Sequence, residues 1–369
     1  MRAVRYHGRG DIRVEEIQEP GSCGMGEVKI RPAFVGICGS DIHEYLHGPS
    51  TIPSTTHPIT GEKIPVTLGH EFSGTITEVG EGVTRLHVGD NVAIKPNLFD
   101  GGCAACLGGW VNCCDNLGFV GFSGSAGGLS DYAVVKENRA VKLPEGFELD
   151  LGALVEPLTV AWHAVNRSSI QNVHARTALV VGAGPIGLAV LLVLKARGVE
   201  NIVVVEVASQ RRELASSLGA TRVLDPRTED VVATVRAMTG NAGADIAFEC
   251  SAVQAGLDTA LKGIRARGTM TILSLWSDKP AIDAFDVVLG EKHVVGSVIY
   301  EDGEFEAVID AMWSGKLNPR ALITSKIRME DIVEKRLQIL NPRPRQPDQD
   351  LGGHFGMKVR DIQGEWDEY

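Results

Sequence analysis

Long apolar runs are missing from this sequence. No segment approaches the roughly 20 consecutive apolar residues that a membrane-spanning helix requires, and the opening MRAVRYHGRGDIRVEE has no apolar core of the kind a secretory leader carries. A membrane partner is therefore not expected, and the cytoplasm is the expected location. Positive charge is also in short supply: 36 lysines and arginines stand against 47 aspartates and glutamates, a formal net charge of −11. A chain that neutralises phosphates needs the opposite balance, so no nucleic acid is expected as a partner. Cysteine is scarce and odd in number, seven in all, with four of them packed between Cys103 and Cys114. That distribution reads as metal ligands in a reducing compartment rather than as a disulfide framework. There is no sustained repeat. What remains is the composition of a soluble globular protein, 44% hydrophobic and 22% charged, and 369 residues are enough for two domains with cores of their own.

The stretch VVGAGPIG, Val180 to Gly187, carries glycines 182, 184 and 187 in the spacing G-x-G-x-x-G. Three glycines alone are a weak signal, but the flanks decide. Thr177 to Val181 has the length and β-branching of a buried strand, and PIGLAVLLVLKARG reads as an apolar helix ending at Gly198. In that setting Gly182 permits the tight turn, Gly184 lets a pyrophosphate approach the backbone, and Gly187 lets helix pack on strand. Pro185 and Ile186 then open a helix whose N-terminus faces the anion. Glu206 ends the next apolar run, about 20 residues past the last glycine, where a carboxylate hydrogen-bonds a ribose 2′-hydroxyl and repels a 2′-phosphate. NAD is the expected cofactor. Arg211 and Arg212, just beyond, leave NADP as the alternative.

From Thr177 onward β-type runs alternate with helical ones: Thr177 to Val181, Asn201 to Glu206, Arg222 to Asp225, Asp245 to Cys250, Thr269 to Leu275 and His293 to Val298. Six strands in this rhythm predict a doubly wound parallel sheet. The first 150 or so residues instead show short alternating stretches such as EVKIRPAFVG, EFSGTITEVG and DNVAIKP, which predict antiparallel β structure. The boundary is expected near Pro157. The expected domains are 1–157, 158–297, and a third segment, 298–369, that returns to the first domain with the helix EFEAVIDAMWSG at its start.

Three clusters in the β-rich half carry metal-ligand types: GICGSDIHEY with Cys38, Ser40, Asp41 and His43, GHEFSG with His70 and Glu71, and LVEPLTV with Glu156. Singly, Cys38 reads as a small buried hydrophobe, His70 as a satisfied core histidine and Glu156 as the acid of a helix N-terminus. In order, however, G-x-C-G-[ST]-D-x-H, G-H-E-x-x-G, E-P and G-x-G-x-x-G resemble the zinc-dependent medium-chain alcohol and polyol dehydrogenases, over nearly the whole chain to about Asp331. The likeness is greatest to the 2,3-butanediol dehydrogenases, through SDIHEYLHGPSTIP, HPITGEKIPVTLGHEFSG and GALVEPLTVAWHAV. Sorbitol dehydrogenases share the motifs but usually lack the inserted PSTIPSTTHPITGEKIP.

The resemblance implies an α/β fold, a Rossmann sheet plus a β-rich GroES-like catalytic domain, and a homodimer or homotetramer. It implies a catalytic zinc held by Cys38, His70 and Glu156, with a fourth position for water or substrate. Asp41 would hold the tautomer of His70, and Glu71 would lie behind the metal. Ser40 and His43 would relay a proton, by way of the nicotinamide ribose, while hydride passes between NAD and a small-molecule secondary alcohol or ketone. A polyol dehydrogenase and a non-catalytic NAD-binding protein are the rival readings. The family's structural zinc lobe implies a second site at Asp100, Cys103, Cys106 and Cys114, with aspartate in the first of four cysteine places; Cys113 as the fourth ligand, or a vestigial site of free cysteines in a loop, are the alternatives. Relatives usually end on a β-strand soon after EDIVEK. Here LQILNPRPRQPDQDLGGHFGMKVRDIQGEWDEY follows, whose composition suggests a mobile tail; either MKVRDI would replace that strand or the β-rich domain would be short of one edge.

Overall fold

The computed structural model describes residues 1–168, 176–333 and 357–358. They divide into two compact units, one of Met1–Glu156 with the described residues from Ile323 on, the other of Pro157–Leu322. The return to the first unit thus falls at Ile323 and not at 298. Helix Glu304–Trp313 stays with the second unit, where its buried stripe of Phe305, Val308, Ile309 and Met312 is used. An amphipathic stripe at helical spacing says that a helix packs; it does not say on which core.

The first unit is antiparallel. Strands β1 (Arg2–Gly8), β2 (Asp11–Glu16) and β4 (Val66–Thr67) form one small sheet. The larger sheet runs β10 (Ala140–Lys142), β6 (Asn91–Ile94), β5 (Glu71–Val79), β3 (Glu27–Gly36), β9 (Ala133–Lys136). The hairpin-like strands β7 (Asn97–Leu98) and β8 (Gly118–Phe119) pair beside them. Alternating apolar residues feed one core, including Val28, Ile30, Val35, Ile76, Val92 and Ile94, and Met329 and Ile332 close it after the return. Pro32, with no amide hydrogen to give the ladder, sits where the β3–β5 register shifts. That ladder ends by pairing Gly36 with Glu71.

The second unit holds β11 (Thr177–Val181), β12 (Asn201–Val205), β13 (Arg222–Leu224), β14 (Ala244–Glu249), β15 (Ile264–Ile272) and β16 (His293–Gly296). They are all parallel, in the order β13-β12-β11-β14-β15-β16. Order reverses between β11 and β14, the switch point at which doubly wound sheets bind ligands. All five residues of β11 are buried, as a strand covered on both faces demands. Strand β15 begins at Ile264, earlier than its apolar run at Thr269, because Arg265 and Arg267 at its start break the hydrophobic pattern.

The stretch expected as a tail lies outside the described residues apart from β18 (Met357–Lys358), which pairs in parallel with β17 (Ile323–Ser325).

Candidate metal and dinucleotide sites

The β3–β5 register builds the first site. Cys38 follows the end of β3 and His70 precedes β5, so pairing Gly36 with Glu71 sets the two side by side. A methyl group on Gly36 would collide with the Glu71 carboxylate, so glycine is what lets that side chain turn inward. Cys38 Sγ, one His70 ring nitrogen and one Glu71 oxygen all lie within 4.8 Å of one another. Glu156, at the first turn of helix Val155–Arg167, lies outside that compact set. It is buried close enough to Glu71 for their charges to oppose one another.

Burial dominates the electrostatics. It pushes the Cys38 thiol, the Asp41 carboxyl and the Glu156 carboxyl well above their ordinary ranges, and raises Glu71 to about 7. It holds His70 neutral, its pKa lowered to about 3. Asp41 does not grip His70 as expected: Oδ1 and Nδ1 are 3.9 Å apart, and both atoms are buried without a hydrogen-bond partner. The other Asp41 oxygen instead accepts the Cys38 amide at 2.9 Å, completing a capping box at the start of helix Gly39–His47. A helix-capping role claimed the carboxylate that the motif alone had assigned to the histidine. Ser40 Oγ lies 3.4 Å from His70 Nε2. Ser40, His43 and His47 share one stripe of the helix, with the rings of His43 and His47 5.3 Å apart.

These residues fit a zinc ion. A thiol, a neutral imidazole and buried carboxyls with an unpartnered nitrogen among them are a donor set that a divalent cation satisfies, drawing the acids to their anionic forms.

The second cluster gathers Asp100, Cys103, Cys106 and Cys114 within the same 4.8 Å limit, whereas Cys113 points to solvent. Cys103 and Cys114 Sγ are 3.9 Å apart. Asp100 Oδ1 accepts the Gly102 and Cys103 amides at 2.7 and 2.9 Å, and Asn116 donates to Oδ2 at 2.8 Å. These donors hold the Asp100 carboxyl well below its usual range. Asn116 escaped the sequence reading because an asparagine carries no ligand signal.

The glycine loop lies in the second unit. Gly182 has φ +96°, the left-handed turn it was expected to make, and a side chain on Gly187 would strike the Gly182 carbonyl. Gly184 caps the helix that Pro185 and Ile186 open, and nothing lies within 4 Å of where its Cβ would stand. Glu206 is buried at the tip of β12. Its carboxylate accepts the Ala183 amide of the loop and the Ala208 amide, both at 2.9 Å, and Arg211 Nη1 stands 3.5 Å away. Arg212 is bound to the Asp225 carboxylate at 3.1 Å and to the Val207 carbonyl at 2.6 Å.

A catalytic-type metal cluster in an antiparallel β unit and a dinucleotide loop in a Rossmann unit define a class, the zinc-dependent dehydrogenases. Residues 24–145 match the alcohol dehydrogenase GroES-like domain and residues 185–314 the zinc-binding dehydrogenase domain. The chain is 42% identical to the (R,R)-butanediol dehydrogenase of Bacillus subtilis (strain 168) over 91% of its own length and 94% of that protein's. The crystal structure of the 2R,3R-butanediol dehydrogenase from Bacillus subtilis superposes with a TM-score of 0.87 over 98% of this chain and 99% of that one, at 39% identity. At 27% identity and a TM-score of 0.84 stand a zinc-binding dehydrogenase of Sinorhizobium meliloti bound to NADP and an alcohol dehydrogenase of Escherichia coli complexed with NADH. Each covers 98% of this chain, and 98% and 99% of those chains are covered in turn. The chain belongs to the zinc-dependent medium-chain alcohol dehydrogenases. It is an oxidoreductase that interconverts an alcohol and its carbonyl compound.

Proposed function

We propose that the protein oxidises a vicinal diol of the 2,3-butanediol type to the α-hydroxyketone with NAD, and runs the reverse reduction of an acetoin-like ketone. The observation that carries this reading is the buried cluster of Cys38, His70 and Glu71 beside Glu156, in a chain 42% identical to a butanediol dehydrogenase. The inserted segment supports it over a polyol dehydrogenase, because it is built into the first unit. Ile52 is buried in the core, Thr60 donates to the Ser123 carbonyl at 2.5 Å, and Ser125 donates to Glu62 at 3.0 Å.

Cys38, His70 and Glu156 would hold the catalytic zinc, with Glu71 near enough to exchange for one of them. When bound, the metal supplies a Lewis acid at the substrate oxygen and the dinucleotide supplies the hydride acceptor. The residues do the rest. Ser40 receives the hydroxyl proton and His43 passes it towards solvent. Gly182, Gly184 and Gly187 leave room for the pyrophosphate, Pro185 and Ile186 start the helix that faces it, and Glu206 receives the ribose hydroxyls. Arg212 is committed to Asp225, which supports NAD over NADP; Arg211, 3.5 Å from the Glu206 carboxylate, would lie near the adenosine end. Asp100, Cys103, Cys106 and Cys114 would hold a structural zinc.

No helix among the described residues is long and apolar enough to cross a membrane. We place the protein in the cytoplasm as a homodimer or homotetramer. Strand β16 at the edge of its sheet supports the assembly, as do the exposed side chains of Phe285, Val288 and Leu289 just before it.

Initial rates with NAD and each stereoisomer of 2,3-butanediol, measured beside sorbitol and threonine, test the reading. The expected result is a kcat/KM at least about tenfold higher for one butanediol stereoisomer, the discrimination that about 1.4 kcal/mol of transition-state binding confers. A higher kcat/KM for sorbitol would overturn it.

A further inference from the structure

Glu249 ends β14 and is 0% exposed, an acid sealed into the second unit. Burying a carboxylate is costly unless donors fill its lone pairs, and here two separate loops supply them. Oε1 accepts the Ser251 amide at 2.7 Å, the Ser251 hydroxyl at 2.6 Å and the Ala252 amide at 3.0 Å, all from the loop that follows β14. Oε2 accepts the Ser274 hydroxyl, from the loop that follows β15. Ala252 has φ +53°, a left-handed conformation unfavourable for a residue with a side chain, and its bond to Glu249 holds it there. One buried side chain therefore ties together two loops at the carboxyl edge of the sheet.

The sheet order says which part of a dinucleotide meets those loops. The pyrophosphate belongs to the glycine loop after β11 and the adenosine half to Glu206 at the tip of β12. Strand β12 lies on one side of β11 and β14 on the other, so the nicotinamide half extends over β14 and β15. The loop after β14 also abuts the glycine turn: a Cβ on Gly182 would stand 3.0 Å from the Cys250 carbonyl and 3.1 Å from Ser251 Cα, and one on Gly256 would strike the Ser251 hydroxyl. We propose that Glu249 is a positioning residue for the nicotinamide half of the dinucleotide, fastening the β14 loop to the β15 loop before the ligand binds. Untied, the two loops would be ordered by the ligand, and the cost of that ordering would be subtracted from its affinity. The adenosine half, held on the far side of β11, does not depend on the tie.

This inference rests on the dinucleotide reading of the glycine loop, and the experiment separates the two. Calorimetry on the zinc-loaded enzyme gives the dissociation constants of NAD and of ADP-ribose, which lacks only the nicotinamide. Glu249→Ala is expected to weaken NAD about tenfold and to leave ADP-ribose within about twofold of the parent. Glu249→Gln keeps the size of the side chain; its oxygen accepts the Ser251 and Ala252 hydrogens and its amide donates to the Ser274 hydroxyl, so it is expected to restore NAD binding. Ser274→Ala, at a half-buried position, cuts only the link between the loops and decides the matter if Glu249→Ala does not fold. It is expected to weaken NAD about threefold, again without effect on ADP-ribose. A carboxylate that merely supports the fold would weaken both ligands alike or neither. Either result in Glu249→Ala or Ser274→Ala would overturn the proposal, as would a Glu249→Gln protein that binds NAD no better than Glu249→Ala. A parent that binds neither ligand would instead defeat the dinucleotide reading.

Discussion

Glu206 shows how one side chain can serve two ends. Its carboxylate ties the tip of β12 to the glycine loop through the Ala183 amide and still presents negative charge where a ribose is expected. Replacing it with alanine removes a charged acceptor, worth about 1.5–3 kcal/mol per bond, and removes the repulsion that discriminates against a 2′-phosphate. Glu206→Ala is therefore expected to lower kcat/KM for NAD by about tenfold or more while leaving that for NADP level or higher, so that the gap narrows. Steady-state kinetics with both dinucleotides measures it; equal use of the two by the parent enzyme would show that Glu206 selects neither. The position of Glu206 was legible because the strand, turn, helix and second strand each declare themselves by apolar run length. Its bond to Ala183 was not, since nothing in the order of residues says which amide a carboxylate at a strand tip will meet. The same limit applies to Asp41: its motif position was plain, but capping the helix at Cys38 was the nearer use for it.

At the scale of elements, legibility follows burial. The inner strands β11, β12 and β14 of the parallel sheet are buried along almost their whole length and read as continuous apolar runs; β15 begins earlier than its apolar run only where arginines interrupt the pattern. The nearness of Glu71 to Cys38 comes from the register of β3 on β5, a property of two strands that neither contains alone. The cysteine loop, Phe99 to Leu117, is legible for the opposite reason. Spacing fits Cys114 and leaves Cys113 as an alternative, and the structure brings Cys114 into the cluster while leaving Cys113 exposed. That loop has little else to order it: Leu107 is 76% exposed and Trp110 61%, so apolar burial does not offset the cost of fixing its backbone. A metal would. Cys106→Ser is then expected to reduce bound zinc from two ions per chain to one and to lower the melting temperature by several degrees, leaving the activity of folded molecules largely intact. Cys113→Ser should change neither. Elemental analysis finding one zinc in the parent would reject the structural site.

For the molecule as a whole, the buried acids of the first site couple metal content to stability and pH. Asp41, Glu71 and Glu156 are all raised by burial. An acid whose folded pKa lies above its unfolded value keeps its proton in the folded state after the unfolded chain has released it, so its contribution to stability is full below the unfolded value, near 4.5 for Glu71, and is lost as pH rises towards about 7. His70 runs the other way: its pKa is lowered to about 3, so folding gains stability as pH rises up to its ordinary 6.5. Above pH 6.5 the contribution of His70 is complete, whereas Glu71 goes on losing its proton in the folded state up to about 7. Zinc reverses the balance, because it binds the deprotonated forms and binds them better as pH rises. The gap in unfolding midpoint between zinc-loaded and metal-free protein is therefore expected to widen from about pH 5 to about pH 8. Glu71→Gln isolates the cause, since glutamine fills the space beside Gly36 without a charge to bury. In metal-free protein this substitution should leave stability unchanged at pH 5 and raise it at pH 8, by on the order of 1–3 kcal/mol for a shift of this size. Urea titrations of both metal-free proteins at the two pH values decide it. A Glu71→Gln protein that loses stability at pH 8 as much as its parent would mean that the Glu71 carboxylate costs the fold nothing, and that the pH dependence has another source.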